Sequence, residues 1–173
     1  MAFLVEDGTG TVADATSYTT VQEWKDYWVD RGFDFSAYTD TDIEVALIKA
    51  TAYIELQYRS RFLGYRLLTT QALSFPRVGI YIDCVPQEGV PLYLKYATFE
   101  YAKRTLAEDF ELLPDPAESD STGMIIQESK VQVGPIRRDT VYASVGAETT
   151  IRYPAADKWL YDFICSGGGV IRA

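Results

Sequence analysis

The stretch from Thr39 to Tyr58, TDTDIEVALIKATAYIELQY, decides how this chain is read. Ile43, Ala46, Leu47, Ala50, Tyr53, Ile54 and Tyr58 recur at the three- and four-residue spacing that lays apolar side chains along one face of an α-helix. Glu44, Lys49, Glu55 and Gln57 fall between them and are expected to face water. Thr39 is placed to cap the amino terminus, with Asp40 and Asp42 in the first turn, where acidic groups suit the helix dipole. A helix ending near Tyr58 is therefore predicted.

On the amino-terminal side, Val21, Trp24, Tyr27 and Trp28 form a second helical stripe. Ser17 or Thr19 is expected to cap that helix, which runs to about Arg31 and stops at Gly32. Residues 1–16 combine a short apolar piece with EDGTGTVADAT, whose Gly, Asp and Thr favour turns, and read as an extended arm. On the carboxyl-terminal side, Tyr65 to Pro91 holds prolines 76, 86 and 91 and glycines 79 and 89, and reads as loop with at most a short helical turn. Pro91 opens a third helix of roughly residues 91–113. Its stripes are Leu92, Tyr96, Phe99, Leu106 and Phe110 on one side and Tyr93, Ala97 and Tyr101 on the other. The second stripe makes Tyr93, Ala97 and Tyr101 candidates for a subunit interface.

Glu108 to Asp120 has six acidic residues and no basic one, with Pro114 and Pro116, and reads as a solvated loop. From Met124 the pattern becomes Val- and Ile-rich with partial alternation, so a hairpin turning at Gly134-Pro135 is expected from Met124 to Tyr142. Pro154 begins a last short helix, with Ala156, Trp159, Leu160 and Phe163 on one face, followed by a flexible tail. The expected class is mainly α: a small bundle of about four helices with long loops and one short hairpin. Its parts are the arm 1–16, a helical core 17–113, the acidic loop and hairpin 114–153, and the helix and tail 154–173, within one domain.

Composition limits function. The 173 residues carry a net charge of -9 and no histidine. The charge opposes general affinity for nucleic acid, because binding depends on basic residues that neutralise phosphates. Without histidine the usual general base and the histidine-paired nucleophiles are missing, and no phosphate-binding glycine loop is present, so an enzyme is not expected. Cys84 and Cys165 are far apart and are expected to be small buried hydrophobes. No cofactor or metal is implied, and no run of about 18 apolar residues suggests a membrane span.

One segment mixes cations with rings. Tyr58 to Arg66, YRSRFLGYR, interleaves Arg59, Arg61 and Arg66 with Tyr58, Phe62 and Tyr65, the combination that holds single-stranded nucleic acid by stacking and charge. The competing expectation is a helix terminus whose arginines pair with carboxylates, including those of a neighbouring copy.

The most specific local sequence is QALSFPR, Gln71 to Arg77, with Leu73, Phe75 and Pro76 at its centre. In physical terms it is a fixed turn: Pro76 holds Phe75 extended, the ring anchors in a pocket, and Arg77 is placed for a bidentate carboxylate contact. Together with Glu6-Asp7-Gly8-Thr9-Gly10, Ser17-Tyr18, Gly64, Lys130-Val131 and Tyr153 to Asp157, it resembles the signature of tailed-bacteriophage head-to-tail connector proteins. These adaptor or head-completion proteins are often labelled DnaT-like single-stranded-DNA-binding proteins. Phe75 stands where many of them carry Trp.

The resemblance implies a helical virion subunit, assembled in the host cytoplasm, usually in a dodecameric ring beneath the portal protein. Such a ring joins the portal to a downstream connector or tail protein, and genomic double-stranded DNA passes through it without sequence-specific binding. The family brings no catalytic residues. Gly167, Gly168, Gly169, Val170, Ile171, Arg172 and Ala173 are the candidate portal or neighbour contacts, since a flexible tail can order on a partner. Arg59, Arg61 and Arg66 join the candidate subunit interface. The alternative function is a single-stranded nucleic-acid-binding module.

Overall fold

A computed structural model describes residues 2–106, 112, 126–132, 137–142 and 153–164. Two capping boxes start its main helices. In α1, Val21–Val29, the Thr20 side chain accepts from the Glu23 amide while the Glu23 carboxylate accepts from the Thr20 amide. In α2, Asp40–Tyr58, Thr39 and Asp42 repeat the arrangement. Such a box satisfies two of the amides that every helix start leaves without intrahelical acceptors. The α1 cap is Thr20, where Ser17 or Thr19 was expected. Ser17 is already engaged, since its backbone bridges Val5 and its hydroxyl donates to the Thr19 carbonyl. The helix ends at Val29, and Gly32 follows at φ +66° with open space around it.

The predicted α2 stripe is the buried face: Ile43, Ala46, Leu47, Ala50, Tyr53, Ile54 and Tyr58 are all in the core. It packs against α1 and against α3, Leu92–Leu106. α3 is buried on two sides, and both partners belong to the same chain. Leu94, Ala97, Tyr101 and Ala102 are enclosed between α2 and the carboxyl-terminal turn, which comprises α4, Pro154–Asp157, and a 3-10 segment, Lys158–Phe163. The last helix is therefore mostly 3-10, with Ala156, Leu160 and Phe163 inward. Leu92, placed by periodicity on the inner face, is exposed.

Between α2 and α3 the chain forms two minimal hairpins where loop was expected. β1, Tyr65–Arg66, pairs with β2, Arg77–Val78, and β3, Tyr81–Ile82, pairs with β4, Val85–Pro86, all antiparallel. The second turns through Asp83 and Cys84 at φ 51° and 65°. Two consecutive positive φ angles define the turn whose twist matches that of its strands. This places Cys84 at an exposed hairpin tip, so it is not the buried hydrophobe the sequence suggested. Cys165 and residues 167–173 lie outside the described residues, as does the acidic segment 108–120 except Leu112.

The amino-terminal residues are not an extended arm. The amides of Thr16 and Ser17 donate to the Leu4 carbonyl, and the Glu6 amide donates to Ser17, which closes the segment into a loop. Glu6 is buried at its centre, with Oε1 accepting from the amides of Gly8 and Gly10.

By contact the chain divides into two compact units, residues 1–112 with 153–173, and residues 113–152. In the second unit β5, Ile126–Gln132, pairs antiparallel with β6, Arg137–Tyr142, with a shift in register between Ile126 and Glu128. The expected turn at Gly134-Pro135 lies outside the described residues. The fold is thus mainly helical, with four α-helices and small antiparallel hairpins among the described residues.

Gly64, between α2 and β1, carries a testable constraint. It sits at φ +67°, and a Cβ there would lie 2.2 Å from the Val78 carbonyl oxygen and 3.0 Å from Ile80. Left-handed backbone costs an L-residue roughly 1–2 kcal/mol, and overpacking adds a comparable amount. Gly64→Ala is expected to lower unfolding free energy by about 2–4 kcal/mol, read as a lower urea midpoint with unchanged m-value.

Candidate functional site

The QALSFPR segment is densely bonded, within itself and to the elements around it. Phe75 is fully buried, precedes a cis bond to Pro76, and meets three rings edge-on: Phe62 at 5.0 Å, Phe163 at 5.8 Å and Tyr18 at 6.2 Å between centroids. Edge-to-face contacts of this kind add to the stabilisation that area burial provides. Around the ring, polar side chains satisfy the loop's own backbone. Gln71 Nε2 donates to the carbonyls of Leu73 (2.8 Å) and Pro76 (3.0 Å), and its Oε1 accepts from the Leu68 amide (2.9 Å).

Two arginines do the same from either side of the first hairpin. Arg66 Nη2 donates to the carbonyls of Gln71 and Leu73, each at 2.9 Å. Arg77 donates through Nε to Leu63 (2.7 Å) and through Nη2 to Gly64 (2.7 Å) and Phe62 (3.3 Å). The bidentate carboxylate contact expected for Arg77 is replaced by these carbonyls. The turn between α2 and β1 leaves them without ladder partners, and a guanidinium fork can serve several at once. Burial lowers the Arg77 pKa from its ordinary value.

Glu55 gathers these parts together. It was expected to face water, but Tyr18 Oη donates to its Oε1, as does the Ser74 amide at 3.0 Å, and Ser74 Oγ donates to Oε2 at 2.7 Å. A second carboxylate, Asp157, accepts from Tyr58 Oη at 3.0 Å, from Tyr101 Oη, and from the Tyr153 amide at 2.9 Å. Burial, with help from Glu55, raises the Tyr18 pKa well above the usual phenol value. Burial is also the main cause that raises Tyr101 and that pushes Tyr58 up to about 12.

The residues proposed from sequence therefore separate into two groups. Gln71, Leu73, Phe75, Pro76 and Arg77 converge on one lock, with Arg66 part of it. Ala97 and Tyr101 are fully buried and Tyr101 is bonded to Asp157, so neither is free for a neighbouring subunit; Tyr93, 38% exposed, is the accessible member of that trio. In the segment 58–66 the rings of Tyr58 and Phe62 are buried, which leaves Arg59, Arg61 and Tyr65 at the surface. The Arg61 guanidinium lies 5.9 Å from the Tyr58 ring centroid.

Glu55, Asp157 and Glu6 escaped the sequence reading as organising residues, because a carboxylate on a helix face looks alike whether water or a tyrosine lies opposite. Asp157 and Glu6 carried a signal, as the last residue of the Tyr153–Asp157 motif and the first of the Glu6–Gly10 motif, whereas Glu55 carried none.

Fold and locks together define a small, mainly helical protein whose interior polar groups fasten loops to helices. Over residues 1–173 the chain matches the family described as "Putative DnaT-like ssDNA binding protein", and it belongs to that family. No curated protein matches it. Comparison with solved structures likewise gives no match.

The buried phenols predict an alkaline limit. Below about pH 10 the Tyr58 phenol is protonated in the folded and unfolded chain alike, so its contribution to stability is complete. Above that the unfolded chain loses the proton first, and stability falls as pH rises toward 12, with Tyr18 and Tyr101 acting in the same direction. Urea midpoints should be level on approach to pH 10 and decline above it. A level profile through pH 12 would contradict the burial of these phenols beside Asp157 and Glu55.

Proposed function

We propose that this protein is a head-to-tail adaptor of a tailed bacteriophage, a virion subunit without enzymatic activity that forms a ring beneath the portal protein. The observation that carries the reading is the apolar fringe on the two small hairpins. Tyr65 is 79% exposed beside its cross-strand partner Val78, and Leu67, Leu68, Tyr81 and Val85 are exposed as well. Exposed large apolar side chains gathered on a rigid support are characteristic of protein contact. Here the support is the Phe75 lock, which fixes the β1–β2 pair against the helical core. The motif set spread over the chain supplies the particular assembly that the reading names.

In this reading Arg59, Arg61 and Tyr93 contribute to contacts between neighbouring copies, and residues 167–173 engage the portal or the downstream connector. The acidic charge suits passage of double-stranded DNA, since carboxylates on the channel wall repel phosphates and leave no counterions to displace.

A second reading, single-stranded DNA binding, is favoured by the family description. In this reading segment 58–66 offers only Tyr65 with Arg59 and Arg61, because Tyr58 and Phe62 are buried and Arg66 is bonded to carbonyls.

Light scattering after size exclusion separates the two readings. The adaptor reading expects co-elution with assembled portal as a complex carrying many copies, and loss of that complex when residues 167–173 are removed. A monomer that ignores portal, yet is retained on single-stranded DNA in a salt-dependent manner, supports the second reading instead.

A further inference from the structure

A run of aromatic rings extends from the buried side of α1 along α3 to the rim of the carboxyl-terminal turn. Phe33 contacts Trp28, Trp28 contacts Tyr27, Tyr27 contacts Tyr96, Tyr96 contacts Trp159, and Trp159 contacts Tyr93, with centroid separations of 5.0 to 5.5 Å. Its first part is closed by the chain's own cations. Lys103 Nζ lies 4.1 Å from the ring centroids of both Trp28 and Phe33, and the Arg31 guanidinium lies 3.4 Å from that of Tyr27. Such contacts occupy ring faces that a ligand would otherwise use.

The other end is open. Tyr93 and Trp159 are inclined by only 36° and line a pocket of about 410 Å³ with Ala155, Lys158 and Asp162. Among the described residues no cation lies over this pair. Tyr96 meets Trp159 at 69° and supports it from one side. Lys158 and Asp162 are both exposed, so the pocket offers a tilted aromatic pair with one cation and one carboxylate at its edge. The volume falls within the roughly 300–1,000 Å³ of small-ligand sites.

We propose that the open Tyr93–Trp159 pocket stacks an unpaired base of single-stranded DNA, with Lys158 placed for the backbone phosphate. The inference rests on the second functional reading and gives it a location away from residues 58–66. A π-face receives any base, and an ammonium group beside it neutralises one phosphate. Asp162 repels phosphate but accepts from an exocyclic amine, so the pocket favours cytosine, which offers its N4 amine, over thymine, which offers a carbonyl. Rings that already carry Lys103 or Arg31 are not available in this way, and Tyr58 and Phe62 are buried.

The test uses the full chain and a labelled short oligodeoxycytidylate, with binding followed by anisotropy across a salt series. Trp159→Ala is expected to weaken binding by roughly 5- to 150-fold, the range for loss of one stacked base. Trp159→Phe retains most of the affinity, Lys158→Gln reduces the log–log salt slope by about 1, and oligothymidylate binds more weakly than oligodeoxycytidylate. Replacing Arg59 and Arg61 leaves the affinity within about twofold, the scale of an exposed charge distant from the site.

If the unaltered chain binds but Trp159→Ala binds equally well, the pocket assignment is overturned while the second reading stands. Absence of binding by the unaltered chain at low salt overturns both. Should Trp159→Ala fail to fold, an unchanged salt slope in Lys158→Gln overturns the assignment by itself. A Trp159→Ala chain that loses assembly with portal but keeps full oligonucleotide affinity also overturns it, and makes the pocket a protein contact.

Discussion

Glu55 is the residue through which the first unit is tied together. Its carboxylate receives the Tyr18 hydroxyl from the amino-terminal loop and both donors of Ser74 from the QALSFPR segment, while its backbone is part of α2. Three pieces distant in sequence thus share one acceptor. Hydrogen bonds to an ionised group are stronger than neutral ones, and removing the acceptor would leave a buried phenol and a buried loop amide unsatisfied. Phe75 can then enter the core, because the backbone on its amino-terminal side is already held at Ser74. The exposed fringe from Tyr65 to Val85 inherits its rigidity from that arrangement.

Asp157 performs the corresponding task at the other end of the core. It collects Tyr58 from α2, Tyr101 from α3 and the Tyr153 amide, and so fixes the carboxyl-terminal turn on the helices. Tyrosine suits both networks, since each ring fills core volume while its hydroxyl reaches a carboxylate. Among the described residues the tyrosines are therefore divided between core and surface, with Tyr18, Tyr101 and Tyr153 buried and Tyr65, Tyr81 and Tyr161 exposed.

Elements governed by local chemistry were legible in the sequence. The α2 stripe and its Thr39 cap follow from periodicity and from one hydroxyl, and the structure has both. Pro91 and Pro154 marked helix starts for the same reason. What depended on distant partners was hidden. The closing of residues 2–18 needs the Leu4 carbonyl to meet Thr16 and Ser17, and the burial of Ala97 and Tyr101 needs the carboxyl-terminal turn to fold back on α3. Arg77 was recognised as an anchor, but the nature of its partners depended on unpaired carbonyls at a turn that periodicity cannot see. The Tyr93–Trp159 pocket was concealed because Trp159 was assigned with Phe163 to one inward face, while the 3-10 twist of the last segment leaves it at the rim.

Gly32 follows α1 with open space where a Cβ would stand, in contrast to Gly64, where the Val78 backbone stands against any added carbon. A side chain added at residue 32 meets no other element, and an insertion at that position carries a small entropic cost because closure entropy grows slowly with length. The chain can therefore be lengthened at residue 32 and keep the same core, whereas at Gly64, between α2 and β1, there is no room for added bulk. The same contrast makes residue 32 the place to insert a fluorescent or affinity tag into the intact chain.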